Sequence, residues 1–139
     1  MTSNIFGELI YNEELEQYEG EYFNNEICFD VEFYRIEAGQ LDSVVKYAET
    51  QIQKEYYAPM LLKMEEEMVK LKNEHWLETG ETPITAEQLR EEVSITDIMF
   101  ENDCSSIIWC VTEGDVFGDH AICIYVDKDG IYKSSGLEG

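Results

Sequence analysis

The chain has 139 residues, 44% of them hydrophobic and 12% aromatic, which suits one folded domain with its own core and excludes a disordered polymer. Against 31 Asp and Glu stand 9 Lys and Arg, a formal net charge of −22. Such a field excludes nucleic-acid phosphates and anionic membrane surfaces as ordinary partners and favours a basic protein.

The opening "MTSNIFGELIYNEE" has neither a basic n-region nor an apolar h-region. No apolar run approaches the ~18 residues of a membrane span. Both features predict a cytoplasmic protein. In a reducing compartment Cys28, Cys104, Cys110 and Cys123 stay as thiols and pack as small apolar groups.

Residues 5–11, 17–23 and 27–33 read as strands of an N-terminal antiparallel meander. In the third, Ile27, Phe29, Val31 and Phe33 alternate with Cys28, Asp30 and Glu32, so one face is buried and the acids point to water. "NN" at 24–25 is the turn before it. From Leu41 the period lengthens. Leu41, Val44, Val45, Ala48, Ile52 and Tyr56 make a helical stripe. Pro59 breaks it and suits the first turn of a second helix. Leu61, Met64, Met68 and Leu71 form that helix's stripe, read as core. The two segments make an αα-hairpin or one long kinked helix.

Gly80 and Pro83 mark a loop, and Thr85 with Gln88 makes a capping box for a short third helix ending near Glu92. Strands return at 94–101, 105–113, 121–127 and 131–134. "END" at 101–103 and "DKDG" at 127–130 are turns, the second a hairpin signal. In 105–113 both faces are apolar: Ile108 and Cys110 on one, Ile107, Trp109 and Val111 on the other. Such strands are central and covered on both sides. Helices on one face and the N-terminal meander, or a second subunit, on the other satisfy this. The whole is a single α+β domain over 1–139.

The acidic excess is uneven: −9 over residues 1–40, −3 over 41–80 and −10 over 81–139. It sits on the strand-forming thirds. Tyr11, Tyr18, Tyr22, Tyr34, Tyr56 and Tyr57 accompany acids in the first sixty residues, a mixture suited to a basic protein partner.

"GDVFGDHAICIYVDKDG", residues 114–130, holds four aspartates and one of the two histidines. As a calcium loop it fails: with Gly130 sixth, Tyr125 stands first and Gly136 twelfth, and neither carries a carboxylate. Cys104, Cys110, His120 and Cys123 are spaced C-x5-C-x9-H-x2-C, which is no zinc knuckle. No nucleophile elbow, thiol-protease signature, phosphate loop or dinucleotide fingerprint is present, so no catalytic residue, metal site or cofactor is assigned. Asp115, Phe117, Gly118, Asp119 and His120 form a loop between two central strands. Phe117 plugs the core, and His120 bonds to the loop. Should the chain hold a small-molecule or partner site, Trp109, Asp115, Phe117, Asp119 and His120 are its candidates.

"FGEL-Y", "YEGEY", "NEHWLETGETPITAEQLREEVSITDI" and "GDVFGDHAICIYVDKDGIYKSSGLEG" together resemble an uncharacterised bacterial domain family. Its members carry an F-G-x-L start, "EW" before a Gly/Pro loop and helix, a GD-x-F-x-x-H loop, a D-x-DG turn and a terminal glycine. Here His75 falls between Glu74 and Trp76. The resemblance implies a small cytoplasmic α+β protein and brings no activity or catalytic residues. By analogy with acidic single-domain proteins of toxin-immunity loci, it implies an immunity role. The leading reading is a non-catalytic binding protein neutralising a basic toxin. A small hydrolase or ligand-binding protein using the 114–120 loop, and a homodimeric structural protein, stay as alternatives.

Overall fold

The computed structural model describes residues 1–114 and 116–138. Twelve elements follow in chain order: β1 (Thr2–Ser3), β2 (Gly7–Glu8), β3 (Ile10–Asn12), β4 (Gln17–Phe23), β5 (Cys28–Tyr34), α1 (Leu41–Gln53), α2 (Tyr57–His75), α3 (Ala86–Glu92), β6 (Val93–Phe100), β7 (Ser106–Thr112), β8 (Ala121–Val126) and β9 (Tyr132–Glu138). Strands β3 to β9 form one seven-stranded sheet in sequence order, and β1 and β2 form a separate small hairpin. This is the expected α+β class. No helix among the described residues is long and apolar enough to cross a membrane.

Both meanders are antiparallel, and β5 joins β6 in parallel through the register Asp30↔Asp97 and Glu32↔Met99. A parallel pair needs a long crossover, and the three helices supply it. The N-terminal meander therefore extends the C-terminal sheet rather than covering it, which corrects one of the two expected arrangements.

The helical stripes land close to where the periodicity places them, although on α2 Met60 joins Met64 and Met68 in the core while Leu61 and Leu71 are only half-buried. Val44, Val45, Ala48 and Ile52 of α1, Met60, Met64 and Met68 of α2 and Leu89 of α3 are buried in one cluster. Its strand contribution has a single parity: Phe29, Val31, Phe33, Ile98, Phe100, Ile108, Cys110, Ile122 and Ile124. All three helices consequently lie on one side of the sheet. α1 packs on β5, while α2 packs on β8, β9 and α3, so the two long helices follow one another along the sheet rather than pairing closely as a hairpin. The break between them has the hydrogen bonds of a Schellman motif: Glu55 N–H to Ile52 O and Tyr56 N–H to Gln51 O, with Glu55 at φ 56°. Pro59 falls in the first turn of α2, where no intrahelical donor is lost.

Thr85 and Gln88 close the capping box reciprocally, at 3.2 and 2.9 Å. Arg90 then donates twice to buried Glu65, both at 2.8 Å, tying α3 to α2.

The expected strand 5–11 is split instead. Gly7 has φ 74° and belongs to the β1–β2 hairpin, and Phe6 and Leu9 turn into the core. The hairpin crosses β4 at Gly20, where an added Cβ would come within 2.7 Å of Leu9 Cδ2. Glycine gives the backbone room for that crossing, since a Cβ would also press on Phe6 O at 3.0 Å.

Candidate functional site

The helix-free face of the sheet is composed by register. One row across it reads Glu19 (β4), Glu32 (β5), Met99 (β6), Ile107 (β7) and Tyr125 (β8). The next reads Glu21, Asp30, Asp97, Trp109 and Cys123. The face thus has a carboxylate half on β4–β6 and an apolar, aromatic half on β6–β8. None of the nine Lys and Arg lies on β1 to β8. Among the described residues, no ion pair reaches these five carboxylates.

A β-bulge between Ile95 and Asp97 places Asp97 there. Strict alternation from Ile95 would send Asp97 into the core. The extra residue, Thr96, resets the parity so that Ile95 and Ile98 both face the helices. Thr96 Oγ1 donates to Asp97 Oδ1 at 2.8 Å.

Glu32 departs from expectation. Its alternation with Val31 and Phe33 predicts an acid in water, yet it is 7% exposed. Its carboxyl is pushed up to about 9 by burial, then by the hydrogen bond to Asp97 and the negative charges of Asp97, Asp30 and Glu19. Asp30 is raised as well, by burial and then by Glu21, Asp97 and Glu19. Neighbouring carboxyls in a poorly hydrated place cannot all ionise. Burial and the surrounding carboxyls favour the protonated form of Glu32 at neutral pH, with Asp97 as its hydrogen-bond partner. Glu19 is steadied by Gln17 Nε2 at 2.7 Å.

The residues singled out in the sequence do not gather at one point. Trp109 stands on the open face, half-buried between Asp97 and Cys123. Phe117 is fully buried on the helix side, edge-on to Trp76 with ring centroids 6.0 Å apart. The sheet separates it from Trp109. His120 Nδ1 lies 3.0 Å from Phe117 O, and its ring stands 5.0 Å from Trp76. The histidine is bound into its own loop. Asp119 is exposed, and Asp115 lies outside the described residues.

Cys110 faces the helices and Cys123 the open side, so these two and His120 do not converge. Among the described residues no three His, Cys, Asp or Glu side chains are set to hold a metal ion. Burial pushes the Cys110 and Cys123 thiols up to about 12 and raises Cys104, while slight desolvation and then the Glu21 and Asp30 carboxylates raise the exposed Cys28, the opposite of what a nucleophilic thiolate needs.

Glu19, Glu21, Asp30, Glu32, Asp97, Met99 and Ile107 were not singled out by sequence reasoning as a site. Only the three-residue step from Ile95 to Ile98 signals the bulge that completes it.

Comparison with curated proteins finds no match, and comparison with solved structures finds none. Residues 3–137 match the family described as "Uncharacterized protein conserved in bacteria (DUF2262)", and the chain belongs to that bacterial family.

Proposed function

We propose that this is a non-catalytic protein-binding domain whose open sheet face takes a basic protein partner. Immunity to a basic toxin is one function of that class. A single observation carries the reading: one uncovered face pairs a carboxylate half with an apolar, tryptophan-bearing half and holds no cation on β4 to β8. The apolar half supplies burial and the acidic half supplies steering and orientation. Seven strands about 4.8 Å apart and some 20 Å long give roughly 600 Å² before side-chain relief. A standard interface takes about 800 Å² from each partner, so the whole face and the side-chain relief at its rim would be used. A second copy of this chain is a poorer occupant, because each copy brings a charge of −22.

The test must separate this face from the charge of the whole molecule. Octa-arginine serves as probe, with affinity measured by calorimetry in about 0.15 M salt. Two triple variants of equal net charge are compared: E19Q/E21Q/D30N on the sheet and E66Q/E78Q/E91Q on the helix side. The sheet triple should weaken binding about tenfold or more, and the helix triple about threefold or less. Equal losses would mean that bulk charge alone binds the probe. Light scattering of the free chain should give one chain of 16.2 kDa. A dimer abolished by Trp109→Glu would assign the face to a second copy instead.

A further inference from the structure

The carboxylate half of the open face holds a feature that plain charge attraction does not require. Glu32, nine-tenths buried, lies at the centre of the group: Glu19 and Glu21 face it from β4, Asp30 from its own strand and Asp97 from β6. With Glu8 of β2 and Ile10 of β3, four of these residues line a cleft of about 430 Å³. Among the described residues, these four carboxyls and the Tyr34 phenol, two residues along β5, are the titratable groups that the register places beside Glu32. No nitrogen donor reaches its carboxyl among the described residues, and Asp97 is its one hydrogen-bond partner. A buried carboxyl among other carboxyls, with no cation paired to it, lowers its energy in one of two ways: it keeps a proton, or it receives a cation.

Resting on the docking reading above, we propose that a cationic side chain of the partner enters this cleft and displaces the proton held between Glu32 and Asp97, so that binding releases a proton. The Glu32 O–H bond breaks, its electron pair stays on the carboxylate, and the proton passes to buffer. The arriving guanidinium or ammonium then donates hydrogen bonds to the Glu32 and Asp97 carboxylates, replacing the proton's charge with its own. Arginine suits the site best, because its planar fork can meet two carboxylates at once. Binding coupled to loss of one proton strengthens by up to about tenfold for each unit of rising pH, as long as the free protein holds that proton.

The experiment is calorimetry of octa-arginine binding at pH 7.5 in phosphate and in Tris, whose different ionisation heats reveal how many protons are exchanged. The wild-type chain should release between about half a proton and one proton per complex, and its affinity should rise from pH 6 to pH 8. Glu32→Gln, which mimics the protonated carboxyl in shape, should bind with no proton released and a flat pH profile over that range, and Asp97→Asn, which leaves Glu32 buried but removes its acceptor, should release fewer protons than the wild-type chain. Two variants guard against one of them misfolding, and circular dichroism checks both. Wild-type binding without proton release overturns this inference and leaves the docking reading standing. Proton release that persists unchanged in both variants also overturns it. Absence of any salt-sensitive binding removes the docking reading, and the inference with it.

Discussion

Replacing Glu32 with glutamine should change how stability depends on pH. In the unfolded chain this carboxyl titrates near the ordinary glutamate value, about 4.3. In the folded chain burial and Asp97 hold its proton until about pH 9. Its favourable contribution is therefore fully present below the unfolded value and is lost as pH rises towards the folded one. Across that window the folded state binds up to one more proton than the unfolded state. The resulting fall in stability is at most about 1.4 kcal/mol per pH unit. The amide in Glu32→Gln has no proton to lose and can still donate to Asp97. Urea unfolding of both proteins at pH 5.5, 6.5 and 7.5 measures the difference. The variant should gain on the wild type by roughly 1 kcal/mol per pH unit over that range. Stability profiles that run parallel would show that Glu32 titrates alike in both states, and the account of the acidic half would fail.

Phe117→Ala should cost about 3–5 kcal/mol, because the ring is fully buried against Trp76; a loss below about 1 kcal/mol in chemical unfolding would deny it that role. Glu55→Gly should raise stability by roughly 0.5–1 kcal/mol, since Glu55 ends α1 at φ 56°, where a side chain is disfavoured; destabilisation would count against the Schellman ending. Thr85→Ala should cost about 1 kcal/mol through loss of the capping box on α3, and an unchanged thermal midpoint would contradict it.

What the sequence made legible was local. The alternation Phe29, Val31, Phe33 marks the buried side of β5, and the stripes Val44–Ile52 and Met64–Met68 mark the helix faces. Thr85 and Gln88 announced their own cap. The "DKDG" turn closes as a hairpin, with Asp127 Oδ1 accepting from the Asp129 and Ile131 amides and Gly130 at φ 77°. Phe117 and His120 behave as their loop suggested.

What escaped was set by contacts distant in the chain. The parallel pairing of β5 with β6 joins residues on either side of all three helices, and no residue pattern within either strand specifies it. That pairing brings Asp97 beside Glu32 and turns an acid expected in water into a buried one whose protonated form is favoured. The Ile95/Asp97 bulge changes parity by one residue, a shift that period-two reading cannot follow. Trp109 and the 114–120 loop are near in sequence. Alternation along β7 and the turn after it nonetheless put Trp109 and Phe117 on opposite sides of the sheet.

The central claim, that the uncovered sheet face receives a basic partner, is met most directly by amide chemical-shift mapping of the isotope-labelled chain titrated with octa-arginine. The predicted shifts cluster on Glu19, Glu21, Asp30, Glu32, Asp97 and Trp109 and fade as salt rises. Shifts centred on the outer side of α2, at Glu66, Lys70 and Glu74, with the sheet unmoved, would contradict it.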